Sequence, residues 1–345
     1  MDKLNQIEVK IIADSIGTVT NSRITTFELT YPRFIHSELM THRLFSRNAM
    51  SSRAVPIKKM IELVRNNTAM PVRFGANKPG MQDHGVEHDG KVWYDWVDGE
   101  DGLAHNLFCT GREAWVKAAE SASEWAERFE TAGYHKQIAN RLIEPFQMMK
   151  TVVTATEFEN FFWLRVDADA DPTIEVLAKK MKEAYDASHP EKLEKGVWHT
   201  PYVEHAYENI GLCGDDCFVF SGYYVEDEDG KPVMLSEEEA LRISSSCCGQ
   251  VSYRRLDSTK DKALDIYSRL VGGKKVHASP FEHQAKEIAE TEEDFIPNVP
   301  MVNVAWDPTS WEEGITHVDR DGNFWSGNLK GFVQHRQLIP GNVAK

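Results

Sequence analysis

The stretch Ile24-Thr25-Thr26-Phe27-Glu28-Leu29-Thr30-Tyr31 alternates in side-chain character and is closed by Pro32. A period of two marks a strand with one face on a core. Upstream, Ile7-Glu8-Val9-Lys10-Ile11-Ile12-Ala13-Asp14 alternates more loosely, and Gly17 and Asn21 form a turn region between the runs. The pair therefore reads as a hairpin. Beyond Pro32 a helix is expected, with Phe34, Ile35, Leu39 and Met40 on its buried stripe. It ends in the polar segment Thr41-His42-Arg43-Leu44-Phe45-Ser46-Arg47-Asn48.

Further along, residues 75–105 are rich in Gly and Asp and read as a surface excursion. Trp115, Ala118, Ala119, Ala122, Trp125, Ala126 and Phe129 keep helical spacing up to Gly133, a stripe suited to a core or a subunit interface. A second helix opens with Asp171 as cap and Pro172 in its first turn, burying Ile174, Leu177, Ala178, Met181, Ala184 and Tyr185. Residues 186–235 look irregular and aromatic. Ser236-Glu237-Glu238-Glu239 is a capping box for a helix running into Cys247-Cys248, and another helix near 258–271 stops at Gly272-Gly273. Hairpins and long helices without regular strand–helix alternation favour α+β over a doubly wound parallel sheet.

Composition narrows the function classes. The 345 residues are 41% apolar and carry 39 Lys plus Arg against 54 Asp plus Glu, a net charge of −15. Such a chain has material for a core and is repelled by phosphate backbones, so neither nucleic-acid nor anionic-membrane binding is expected. No apolar run is long enough for a bilayer, no signal-peptide core opens the chain, and five cysteines form no disulfide framework. These features suggest a cytoplasmic protein. Nucleotide fingerprints of the GxGxxG and Walker types are absent.

The densest polar cluster is His42, Arg43, Ser46, Arg47, Asn48, Ser51, Ser52 and Arg53. Arginine forks match phosphate or carboxylate, and Ser and Asn add short donors, so a pocket for an anionic ligand is one reading. A solvated helix end, whose cations complement the dipole, is the other. Competing sites are weaker. Cys213 and Cys217 with His199 and His205 have loose spacing for zinc, and no metal is expected. Cys247-Cys248 suits packing better than nucleophilic catalysis. The runs Glu226-Asp227-Glu228-Asp229-Gly230 and Glu290-Thr291-Glu292-Glu293-Asp294 read as solvated acidic surface.

The order His42-Arg43-x-x-Ser46-x-Asn48-x-x-Ser51-x-Arg53 resembles the R-H-R-x-x-S-x-N-E-x-S-x-R signature of the flavin-dependent thymidylate synthase (ThyX) family, with Thr41 and Ala49 as departures. Asn140-Arg141-Leu142-Ile143-Glu144-Pro145 is similar to the family's A-R-x-x-L-P segment, and Asn160-Phe161-Phe162-Trp163-Leu164-Arg165 to its N-F-L-x-L-R helix. Asp169 stands where the family has a later His, and Glu38 where it usually has Gln. Two segments that open the family's sequences come last here: Val251-Ser252-Tyr253, and His277-Ala278-Ser279-Pro280-Phe281-Glu282-His283. Gly331-Phe332-Val333-Gln334-His335-Arg336 looks like a second, decayed copy of the first helix end. The resemblance spans most of the chain outside about 60–130, 186–235 and 290–325. Its motif order is permuted or partly duplicated.

The resemblance implies a mostly antiparallel twisted sheet packed with long helices, in two ThyX-like regions, 1–190 and 191–345, forming one functional unit. It implies reductive methylation of dUMP at C5, with methylenetetrahydrofolate as carbon donor, FAD as cofactor and NADPH as reductant. Related modification of another pyrimidine deoxynucleotide, or a non-catalytic nucleotide-binding protein of this fold, are the alternatives. Ser51, Arg53, Arg141 and Arg165 match substrate-binding positions, with Ser51, Arg53 and Arg165 in catalytic roles. His42, Arg43, Asn48, Asn160 and His283 match positions near the flavin. For the lost family contacts, Arg254, Arg255, Gln334, His335 and Arg336 are candidate replacements. Family members build sites across subunits, so a homo-oligomer is expected, a tetramer ahead of a dimer.

Overall fold

The computed structural model describes residues 6–80, 82, 85–99, 103–211, 217–252, 259–272, 275–289 and 308–343. The first half runs β1 (Glu8–Gly17), β2 (Arg23–Pro32), α1 (His36–Leu39), β3 (Ser46–Ala49), α2 (Ile57–Asn66), β4 (Lys91–Asp98), β5 (Ala104–Thr110), α3 (Gly111–Thr131) and α4 (Lys136–Ala139). There follow β6 (Met148–Ala155), α5 (Glu159–Arg165), α6 (Pro172–Ala187), β7 (Glu191–Leu193), β8 (Trp198–His199), β9 (Glu204–Asn209), β10 (Phe218–Glu226) and β11 (Pro232–Leu235). The rest comprises α7 (Glu237–Gly249), α8 (Lys260–Val271), β12 (Ala285–Glu287), β13 (His317–Val318), β14 (Phe324–Ser326), β15 (Leu329–Lys330), β16 (Phe332–Gln334) and α9 (His335–Leu338).

The hairpin read from the opening residues is the middle of a five-stranded sheet ordered β3-β6-β2-β1-β7. Every pairing in it is antiparallel except β1 with β7. Asn21 turns the hairpin with φ 53°, in the left-handed region that asparagine tolerates. Alternation decides what each face meets. Phe27, Leu29 and Tyr31 of β2 and Met149, Val153 and Ala155 of β6 join Phe158, Phe161, Phe162, Ile174, Leu177 and Met181 in one apolar core. The opposite face carries Thr26, Glu28, Thr154, Ser46 and Asn48, and the chain beyond residue 190 covers it. α2, α3 and the turn after α4 enclose a separate cluster around Met60, Ala119, Ala126 and Ile143.

The α+β class holds, and the capping predictions at Asp171 and Ser236 are realised: Asp171 accepts from Thr173 and Ile174 amides, and Ser236 and Glu239 close a capping box. Several expectations need correction. The helix after Pro32 is a single 3₁₀ turn and one α turn; Ile35 and Leu39 are buried but Met40 is exposed, because the chain leaves the helix there to enter β3. The segment 186–235 is not irregular. It contributes β7 and β8 and the meander β11-β10-β9, with Gly222 (φ 152°) at a register shift that obscures the alternation. The described residues of 75–105 lie at the surface as expected, yet 91–98 pair with β5 as a ribbon whose Trp93, Trp96 and Phe108 are more than half exposed. In α3 the buried line is Ala119, Ser123 and Ala126, while Ala118 and Trp125 face out. Cys247 and Cys248 are packed in the interior, and burial pushes the Cys248 thiol well up, which suits packing. Glu226–Gly230 forms the β10–β11 turn, where the Asp227 carboxylate accepts from the Asp229 and Lys231 amides. Residues 290–294, Cys213 and Tyr253, Arg254 and Arg255 lie outside the described residues.

Candidate functional site

The motif segment follows α1 and becomes β3, which pairs with β6 through Ser46↔Thr154 and Asn48↔Val152. Arg47 Nη1 donates to the carbonyls of Met40 and His42, both at 3.0 Å, and to Leu39 at 3.4 Å. One guanidinium thus satisfies the carbonyls left open at the helix end. The solvated-end reading therefore fits the helix-end bonds of Arg47 and the exposed Arg43 and Arg53, and fails for His42, Ser46, Asn48 and Ser52, which are buried.

His42 stacks on Phe45 and meets the edge of Phe161 at 4.9 Å between ring centres. Its Nε2 lies 3.1 Å from Arg165 Nε, which can only donate, so His42 accepts there and carries its proton on Nδ1. Burial, with Arg165 and Arg47 nearby, lowers the imidazole to about 4. The same Arg165 faces Glu38 at 3.4 Å and Thr41 Oγ1 at 3.4 Å. Burial and then Asp171 raise the Glu38 carboxyl, against the pull of Arg165. The two departures Glu38 and Thr41 both contact Arg165.

A second group forms at the other end of the motif. Buried Asn140 donates from Nδ2 to the carbonyls of Ser52 (2.6 Å) and Val55 (2.9 Å). These bonds tie the loop carrying Ser51 and Arg53 to the turn carrying Arg141. Ser51 Oγ accepts from the Arg53 amide at 3.3 Å. The side chains of Arg43, Arg53 and Arg141 are exposed and make no ion pair or side-chain hydrogen bond among the described residues. Free guanidinium groups are notable in a chain of charge −15. Among the described residues no hydrogen bond or ion pair joins this group to Arg165, so the structure ties the Arg53 loop to the Arg141 turn but does not bring in the third expected phosphate arginine. Asn160 lies exposed on α5.

The polar face of the sheet meets the C-terminal region. Asn48 Nδ2 donates to the Cys248 carbonyl at 3.1 Å, and Ser46 Oγ lies 3.2 Å from Asn328 and 3.3 Å from Gln334. Tyr202, at φ 69°, donates to Glu28 at 2.9 Å. His283 is fully buried and its Nδ1 is 2.8 Å from Thr154 Oγ1; its Nε2 has no partner among the described residues. Of the candidate replacements, Gln334 is bonded to Ser46 and Asn328, Arg336 pairs with Glu282, and His335 lies between Trp198 and Phe281. All three are engaged within the chain. His199 and His205, named for zinc, are hydrogen-bonded instead to Ser15 and Thr26, and to Glu191 and the Trp198 carbonyl.

Sequence reasoning missed the partners that hold these residues, His199, Thr26 and Thr154. Thr26 alternates with the core residues of β2, which signals a polar face, but the strand over 148–155 was missed and nothing local showed that His199 of β8 would cover that face.

The family described as thymidylate synthase complementing protein has a model that matches residues 6–191, more than half of the chain. No curated protein matches. Among solved structures, the UMP/dUMP methylase PolB from Streptomyces cacaoi, bound with 5-Br UMP, is similar at 17% identity and a TM-score of 0.35. That similarity covers 52% of this chain and 88% of the methylase. The same methylase with 5-Br dUMP gives 18% identity, a TM-score of 0.35 and coverage of 52% and 89%.

Proposed function

Because this chain belongs to the thymidylate synthase complementing protein family, we propose that it is a flavin-dependent enzyme that methylates dUMP at C5, with methylenetetrahydrofolate as carbon donor and NADPH as reductant. The observation that carries the reading is the pair Arg53 and Arg141. Asn140 stitches their loops together, and both forks are left without a carboxylate in an acidic chain. Such forks suit a nucleotide phosphate, with Ser51 beside them as a short donor. Arg165, held by buried His42 and half-buried Glu38, joins them as the third arginine when a site is built between copies of the chain, a tetramer ahead of a dimer.

The donor set also fits a flavin. Arg43 offers an unpaired cation for its phosphates, Asn160 an exposed amide, and His283 a buried ring nitrogen with no partner. His42 and Asn48 are engaged within the chain, with Arg165 and with the Cys248 carbonyl. The flavin, when bound, supplies the hydride; the protein's residues bind the nucleotide, fix its ring and hold fixed charges beside it. The two regions, 1–190 and 191–345, act as one unit in this reading.

One observation favours the alternative of a related C5 modification of another pyrimidine nucleotide: Glu38 and Thr41 occupy the guanidinium of Arg165. Mass analysis of the product from dUMP, methylenetetrahydrofolate and NADPH decides. The proposal expects thymidylate from flavin-containing protein; a different one-carbon product supports the alternative. Colourless protein that binds dUMP and ignores added FAD supports a non-catalytic nucleotide-binding role.

A further inference from the structure

Five buried side chains form one continuous hydrogen-bonded line across the polar face of the sheet. Ser15 Oγ lies 2.9 Å from His199 Nδ1, and His199 Nε2 lies 2.8 Å from Thr26 Oγ1. Thr26 Oγ1 lies 2.7 Å from Thr154 Oγ1, which lies 2.8 Å from His283 Nδ1. None of the five is more than 2% exposed. Beyond them stands His283 Nε2, buried and without a partner among the described residues.

Two proton arrangements are available to such a line, because each neutral imidazole carries one N–H and each hydroxyl one O–H. Burial holds both histidines neutral, lowering each to about 3. In the first arrangement Ser15 donates to His199 Nδ1, His199 Nε2–H to Thr26, Thr26 to Thr154, and Thr154 to His283 Nδ1. Every donor is then used except His283 Nε2–H. In the reverse arrangement His283 donates to Thr154 and the line ends with His199 Nδ1–H donating to Ser15. The Ser15 hydroxyl, which has no other partner among the described residues, is then an orphaned buried donor, and the His283 Nε2 lone pair is orphaned as well. Orphaned buried donors are rare because each costs its full desolvation. The first arrangement strands one group, the second two.

We propose that Ser15, His199, Thr26 and Thr154 form a polarised relay that fixes His283 as its Nε2–H tautomer, presenting a preset donor to a hydrogen-bond acceptor of a bound ligand, a heterocycle carbonyl or ring nitrogen. The four are positioning residues acting through His283. The ligand clause rests on the flavin and pyrimidine reading above; the relay itself does not.

The test is long-range ¹H–¹⁵N imidazole spectroscopy on the ligand-free full chain. Wild-type protein is expected to show His283 as a single Nε2–H tautomer. Ser15→Ala makes the two arrangements equal in orphaned groups, so His283 should become a mixture of tautomers although the substitution lies four hydrogen bonds away. Ser15→Thr, which restores the hydroxyl, should restore the single form, and Ser244→Ala, buried near Gln284 but off the line, should leave it unchanged. An Nδ1–H or imidazolium His283 in wild type, or an unmoved tautomer in Ser15→Ala, overturns the relay. Should Ser15→Ala fail to fold, the wild-type spectrum alone still decides. Failure of the flavin reading shows separately, as titrated FAD and dUMP that leave the His283 Nε2–H resonance in place.

Discussion

The roles of single residues follow from whether their polar atoms are spent. Arg53 is exposed and unpaired, whereas Arg165 is committed to His42, Glu38 and Thr41. Arg53→Ala should therefore weaken dUMP binding by about tenfold or more, the size of one charge-assisted contact, with no loss of stability. Arg165→Ala should weaken dUMP too and also lower the melting temperature, since it strands the His42 acceptor. Titration calorimetry beside thermal unfolding separates the two, and equal melting losses would contradict the assignment. The histidines give a second prediction. Burial lowers His36, His42 and His335 to about 4 and His199 and His283 to about 3. Folded values below the unfolded value of about 6.5 mean that the unfolded chain takes up protons first. Stability is then complete above about pH 6.5 and lost as pH falls towards 3–4, by about 1.4 kcal/mol per pH unit for each fully buried ring. Melting temperatures from pH 8 to pH 5 should drop steeply; a flat profile would count against neutral buried rings.

At the scale of elements, the turn joining β1 to β2 is held from the far end of the chain. The Glu287 carboxylate of β12, 4% exposed, accepts from the amides of Thr18 (2.8 Å), Val19 (2.7 Å) and Thr20 (2.6 Å), and from the Thr20 hydroxyl (3.0 Å). A Cβ on Gly17 would stand 2.1 Å from Glu287 Oε1, so glycine is needed for close approach rather than for its backbone freedom. Glu287→Gln turns one acceptor into a donor facing amide donors and should cost on the order of 3 kcal/mol. Gly17→Ala should cost a similar amount by displacing the same carboxylate. Urea unfolding checks both against Glu208→Gln on exposed β9, which should change little. The turn itself was legible from Gly17 and Asn21. Glu287 was not, because its 267-residue separation from Thr20 leaves no local pattern. The same holds at the candidate site. The spacing from His42 to Arg53 singled out a segment that the structure places at the end of α1 and on β3, and the capping signals at Asp171 and Ser236 placed their helices. What escaped were contacts made across the fold: His199 on Thr26, Cys248 on Asn48, Glu38 on Arg165. Strands with a bulge, such as β10, escaped because a register shift breaks the two-residue period.

At the scale of the whole molecule, the family match ends at residue 191, the first residue of β7, the edge strand that pairs with β1. A boundary there suggests two independent domains, but the contacts argue against independence. Ile24 of β2 lies in the same buried cluster as Leu193, Trp198, Leu241, Leu329 and Phe332, so the second region's core includes a residue of the first region's sheet. Buried Thr26, Thr154, Ser46 and Asn48 all find partners beyond residue 190. Removing that cover would leave several polar groups of the first region without their bonds and expose the apolar side chains beside them. Each such loss costs about 1–3 kcal/mol, together comparable with the whole stability of a typical domain. The full chain should therefore melt in one calorimetric transition, with equal calorimetric and van't Hoff enthalpies. Residues 1–190 expressed alone should lack a cooperative transition and bind a hydrophobic dye. Two resolved transitions, or a 1–190 fragment that unfolds cooperatively, would show that the polar face needs no roof and that the two regions are separate domains.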